Sequence, residues 1–278
     1  MGKRVLFVGF FLFLALGPFF AATPAQQGRV GCPQCKNDSS ETARLLEEAD
    51  LLYSAFKTKE TLQVLTRVLE IDPRNHEAMA KSARVYLDFG DAVPESDPQW
   101  REKKIKHYAT AERYARQAIE ADRESTWGHF YLAASLGKTA TVSPISRQLE
   151  LAPEIRAAAE KAIALDPSNG YAYHVYGVWH RRLAEIGQMQ RFLATTLFWR
   201  SVPQGSLDKS VELLRKAASL NPRVIIHQLE LAKTYVATGK FDLARQHLQR
   251  ALELPIQFSD DPQNKKEADK ILHEIKDR

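Results

Sequence analysis

The sequence predicts an all-α solenoid of about five stacked helix pairs, with long insertions and a C-terminal capping helix. Three observations carry that expectation. One phrase recurs along the chain, as Val68-Leu-Glu-Ile-Asp-Pro73, Ala118-Ile-Glu-Ala-Asp-Arg123, Ala162-Ile-Ala-Leu-Asp-Pro167, Ala217-Ala-Ser-Leu-Asn-Pro222 and Ala251-Leu-Glu-Leu-Pro255. Each variant reads as the last turn of an amphipathic helix, in most cases halted by Asp or Asn and proline. A small residue recurs at one slot per unit, at Ala49, Ala83, Ala133, Gly177 and Ala232. Finally, 13 glycines in 278 residues are too few for the turn-rich sheets of a barrel or sandwich.

The units follow in order. The stop positions Asp72, Asp122, Asp166 and Asn221 are spaced by 50, 44 and 55 residues, and Leu220 to Leu254 by 34. The last spacing is the tetratricopeptide period, and the longer ones imply insertions within that scheme. Unit five shows the pattern most plainly. Leu231, Ala232 and Tyr235 share one face of a first helix, which Gly239 closes. Phe241, Ala244, Leu248 and Ala251 stripe the second at i, i+3, i+7 and i+10. Two such helices cannot bury their faces alone, so each pair needs its neighbours. The surplus residues read as loops at Asp91 to Gln99, Thr139 to Pro144 and Ser201 to Ser206. Asp261 and Pro262 open a polar helix whose narrow stripe of Ala268, Ile271, Leu272 and Ile275 suits a cap.

Residues 1–25 read as an address. Lys3 and Arg4 precede an apolar run from Val5 to Ala22, followed by small residues, as in a signal peptide. The alternative is an uncleaved membrane anchor over residues 5–22, a length close to the ~17 residues that just span a bilayer. Export to the periplasm or outside the cell is the favoured expectation. Residues 26–40 read as a linker holding Cys32-Pro-Gln-Cys35, and 41–278 as the repeat domain. Two cysteines cannot make a four-ligand metal site. Cys32 and Cys35 are either a local disulfide or simply two linker thiols.

From about Trp127 to Pro255 the sequence resembles the regulator of microtubule dynamics family, a tetratricopeptide-like group. The likeness lies in Glu160-Lys-Ala-Ile-Ala-Leu-Asp-Pro167 and Tyr173-His-Val-Tyr-Gly-Val-Trp179. It continues in Ala194-Thr-Thr-Leu-Phe198, Val202-Pro203, Leu231-Ala-Lys-Thr-Tyr235 and Gly239. The resemblance implies an all-helical domain and, for animal members, a cytoplasmic setting with tubulin as partner. The export-like N-terminus departs from that setting, and a bacterial exported relative sharing the fold is expected instead.

Chemistry is sparse. The eight histidines form no His-Glu-x-x-His, and no nucleophile elbow, Walker loop or dinucleotide fingerprint is present. No catalytic residue, cofactor or metal site is expected, although a hydrolase or transport accessory built in the insertions is the residual enzyme reading. The formal charge of +5 is spread out, with no basic block that would indicate nucleic acid.

Function is therefore expected on the concave wall, lined by the first helix of each unit. Aligning the units on the small-residue slot points Arg84, Trp127, Phe130, Lys138, Tyr171, His174, Arg181, Arg182 and Lys233 into a basic, aromatic groove. Such a groove suits an acidic or extended peptide of a protein partner. The alternative is that the long insertions fill part of the groove, burying the aromatics and leaving the basic groups on a solvated rim. Within Gly187 to Ser206, the cluster of Phe192, Leu193, Leu197, Phe198 and Trp199 is either a sticky patch or extra core.

Overall fold

The computed structural model describes residues 33–187 and 203–278. The leader, Cys32, the Cys35 side chain and the Phe192 to Trp199 cluster lie outside what it describes. Among the described residues eleven helices run in chain order: α1 (Pro33–Ser54), α2 (Thr58–Ile71), α3 (His76–Asp91), α4 (Trp100–Ala121), α5 (Thr126–Thr141), α6 (Ile145–Leu165), α7 (Gly170–Ala184), α8 (Leu207–Leu220), α9 (Ile225–Ala237), α10 (Phe241–Glu253) and α11 (Asp261–Glu274). Among the described residues there is no strand. The first helix begins at Pro33, inside the stretch read as linker.

The recurring phrase is a two-part hinge between units. Asp72, Asp122, Asp166 and Asn221 cap the C-termini of α2, α4, α6 and α8. The three Asp carboxylates each accept the backbone N–H two residues on, from Arg74 at 3.1 Å, Glu124 at 3.0 Å and Ser168 at 2.9 Å. This Asx turn reverses the chain. One residue further, Asn75, Ser125 and Asn169 cap the next helix, accepting from Ala78, Gly128 and Ala172. Each such cap is worth about 1 kcal/mol. One short polar stretch thus ends one helix and starts its successor.

Helices α1 and α9 end differently. In α9, Gly239 is left-handed at φ 71°, and the Lys240 N–H reaches back to the Tyr235 carbonyl at 2.9 Å. The same double closure ends α1, where Lys57 N–H bonds Leu52 and Phe56 N–H bonds Tyr53, both at 2.9 Å. There the left-handed residue is Phe56, at φ 59°. A side chain in that conformation costs about 1–2 kcal/mol.

Successive hairpins pack α1 on α2, α3 on α4, α5 on α6, α7 on α8 and α9 on α10. The helices α3, α5, α7, α9 and α11 touch in sequence along a second wall. The slot residues Ala49, Ala83, Ala133 and Ala232 are all fully buried, and Gly177 is buried with them. Leu65, Leu136, Leu214 and Leu248 fill the gaps at 0–1% exposure, each contributing about 1.5–3 kcal/mol by burial. The cap docks as its stripe predicts, with Ala268 and Ile275 buried and Ile271 and Leu272 packed beside them.

Candidate interaction groove

The odd-numbered helices from α3 to α9 carry all nine residues expected on the concave wall. Trp127 stands at the start of α5 and is 45% exposed. It stacks on Tyr131 at 5.8 Å and meets Phe130 edge-on at 5.6 Å and Tyr171 at 6.1 Å. The aromatic surface continues from Tyr171 to His227 at 5.2 Å and from His227 to His174 at 5.0 Å. Each such ring contact contributes about 0.5–1.5 kcal/mol beyond its area. Phe130 and His227 are buried, so Trp127 and Tyr171 present the accessible part of this ladder.

The cations do not make the wall basic; this corrects the expected charge. Arg84 lies over the Tyr53 ring at 3.6 Å, with Asp50 at 3.5 Å. Lys138 bonds Asp91 at 2.7 Å, and Lys233 bonds Glu230 at 2.8 Å and Glu267 at 2.7 Å. Arg181 is 3% exposed and pairs across α7 and α9 with Glu230, and along α7 with Glu185. It is therefore a buried strut and does not offer a fork to a ligand. Arg182, one residue on, is exposed. The reason is that helices stacked this closely face acids and bases across each seam, where an unpaired buried charge would cost several kcal/mol.

These contacts set the titration of the wall. Burial works against ionised Glu230, yet Arg181 and then Lys233 hold its carboxyl down to about 2. Burial pushes His174 down to about 4, and it pushes His227 well below the usual imidazole range, with His174 adding to it. Both rings are neutral at pH 7. Asp88 goes the other way, raised to about 7 by burial and by Asp91 and Asp260, against a Tyr53 hydrogen bond and Arg84.

Asp260 belongs to a part of the site that the repeat pattern does not signal. The segment from Pro255 to Asp260, between α10 and α11, lies across the concave face. Phe258 meets Tyr171 edge-on, 6.3 Å between centroids and 88° between planes. Together with Gln257 and Ser259 it closes on Tyr53, Phe56, Thr58 and Asp88, leaving a cleft of about 10 Å³. Part of the groove is thus covered by the pre-cap segment; the part of the 187–206 insertion between 188 and 202 lies outside the described residues. A wider cleft of about 500 Å³ lies between α7 and α8, lined by Tyr173, Glu212, Leu213, Arg215, Lys216 and Ser219. Among the described residues no group of His, Cys, Asp and Glu is placed to hold a metal ion, and no helix is long and apolar enough to cross a membrane.

Residues 45–276 match the family model of regulator of microtubule dynamics protein 1-3. The chain belongs to that family. It is 29% identical to regulator of microtubule dynamics protein 1 of Bos taurus, over 86% of this chain and 73% of that one. Against the Homo sapiens protein 1 the identity is 30%, over 62% of this chain and 54% of that one. Against protein 3 of Bos taurus it is 24%, over 82% and 48%. A thermophilic TPR protein of Thermus thermophilus superposes with a TM-score of 0.57 at 17% identity, over 84% of this chain and 99% of that one. That likeness establishes the tetratricopeptide-like fold. The family match runs from Leu45 to Lys276, well beyond the Trp127 to Pro255 stretch on which the resemblance was read. The fold and the family suggest a non-enzymatic protein with protein partners. The relatives named above are animal proteins, which gives the expected bacterial export no support.

Proposed function

We propose that this chain is a non-enzymatic interaction module that holds an extended peptide of a protein partner against its concave wall. The observation that carries this reading is Trp127, a large ring 45% exposed at the mouth of the groove and braced by Phe130, Tyr131 and Tyr171. Braced aromatics of this kind anchor interfaces because little freedom is lost when they are covered. Tyr171 and His174 extend the anchor. Arg84, Lys138 and Lys233 stay with their acidic partners, and Arg182 is the exposed cation among the wall residues. Trp127→Ala is expected to weaken partner capture on the order of 30-fold while leaving thermal unfolding within a few degrees. Unchanged capture by that variant would remove the groove from consideration.

A second reading follows from the family. Its members are named as regulators of microtubule dynamics, and the same wall is then proposed to meet tubulin or a tubulin-bound protein. Purified chain sedimenting with polymerised tubulin supports this reading, and chain remaining in the supernatant rejects it. Localisation is tied to residues 1–25. N-terminal sequencing of the mature protein separates cleavage near Ala25, and hence export, from a retained anchor.

A further inference from the structure

The segment from Pro255 to Asp260 is seated in the groove as a ligand would be. Phe258, near its centre, sits among Tyr53, Phe56 and Tyr171. Burial and the neighbouring Asp91 hold the Asp260 carboxyl above the usual range, against the pull of Lys138. The segment is preformed on its own side. The Asp261 carboxylate, 1% exposed, accepts the backbone N–H of Gln257 at 2.7 Å and of Phe258 at 2.9 Å. Its hold on the far wall is slighter. Phe258 is only partly buried there, and Phe56, which faces it, keeps a left-handed backbone with its ring 50% exposed.

We infer that this strap stands in for the partner, whose docking segment carries an aromatic side chain and enters by displacing Phe258. This rests on the reading of the concave wall as a partner site. The aromatic of the incoming segment takes the Phe258 place against Tyr171 and Phe56. The strap and partner compete, so the free protein binds below its intrinsic affinity by the fraction of time the strap is open.

The test uses the full chain and a fluorescent peptide with the sequence of Leu254 to Pro262. Anisotropy should show binding to Phe258→Ala at least 10-fold tighter than to the unaltered chain. Ala in place of the peptide's Phe should remove that gain. Phe258→Leu serves in its place if the alanine variant loses its cooperative thermal transition, with the same order of affinities expected. Equal binding to variant and unaltered chain, or equal binding of the altered peptide, overturns the inference. If the peptide binds neither form but Trp127→Ala still abolishes partner capture, the strap inference falls and the groove reading survives. If the peptide shows the expected order while Trp127→Ala leaves capture unchanged, the groove reading falls instead.

Discussion

Gly177 on α7 lies directly under Leu214 on α8: a Cβ added there would stand 2.6 Å from the Leu214 Cγ and 3.3 Å from its backbone nitrogen. The other four slot positions carry alanine and are fully buried, so unit four is the one where the paired helices approach too closely even for a methyl. Gly177→Ala gains helix propensity of about 1 kcal/mol but must push α8 away. The net expectation is a loss of ~1–3 kcal/mol in urea unfolding. A gain in stability would mean that α7 and α8 are not held at this spacing.

Arg181 and Glu230 tie α7 to α9, both side chains under 10% exposed. Removing one partner leaves the other charged and buried. Arg181→Met alone should lose ~3–5 kcal/mol, whereas Arg181→Met with Glu230→Leu should recover most of it. Arg182→Glu should leave stability within about 0.5 kcal/mol, since its side chain is exposed. A double-mutant cycle in chemical denaturation measures the coupling, and additivity of the two losses would refute it.

Asp88 has a carboxyl raised to about 7, foremost by burial. The folded chain therefore holds that proton where the unfolded chain has released it, from roughly pH 4 upward. Folding stability from this group falls as pH rises across the window from about 4 to about 7. Asp88→Asn should be more stable than the unaltered chain at pH 8, on the order of 1 kcal/mol, with the gap closing by pH 4. Thermal melts at both values decide the sign.

His174 runs in the opposite direction. Its pKa is held down to about 4 by burial, so the unfolded chain protonates first as pH falls below the usual 6.5. Stability is lost between those values. His174→Phe should flatten that acid limb and raise the melting temperature at pH 5 by a few degrees, while changing little at pH 8. Because Asp88 and His174 slope against each other over the same window, the single variants separate what the unaltered chain superimposes.

The repeat was legible because it is local. Asp72, Asp122 and Asp166 announce a helix end through their own neighbours, and the alanine slots announce a seam through 3.6-residue spacing. The capping residues Asn75, Ser125 and Asn169 carry a signal of the same kind, a small polar side chain three residues after each stop. Alignment on the slot also placed Trp127, Lys138 and Tyr171 on one wall. What it could not give is what stands opposite each of them.

The helices, their pairing and the face that each turns inward could be read along the chain, since these follow from contacts within a few tens of residues. Only the tertiary structure decided that Arg181 is spent on Glu230, that Lys138 answers Asp91, and that Phe258 lies against Tyr171 and beside Tyr53. Those pairs join residues 49, 47, 87 and 205 positions apart. Partners so distant are set by the accumulated curvature of the stack, a geometric sum that no periodicity in the chain records.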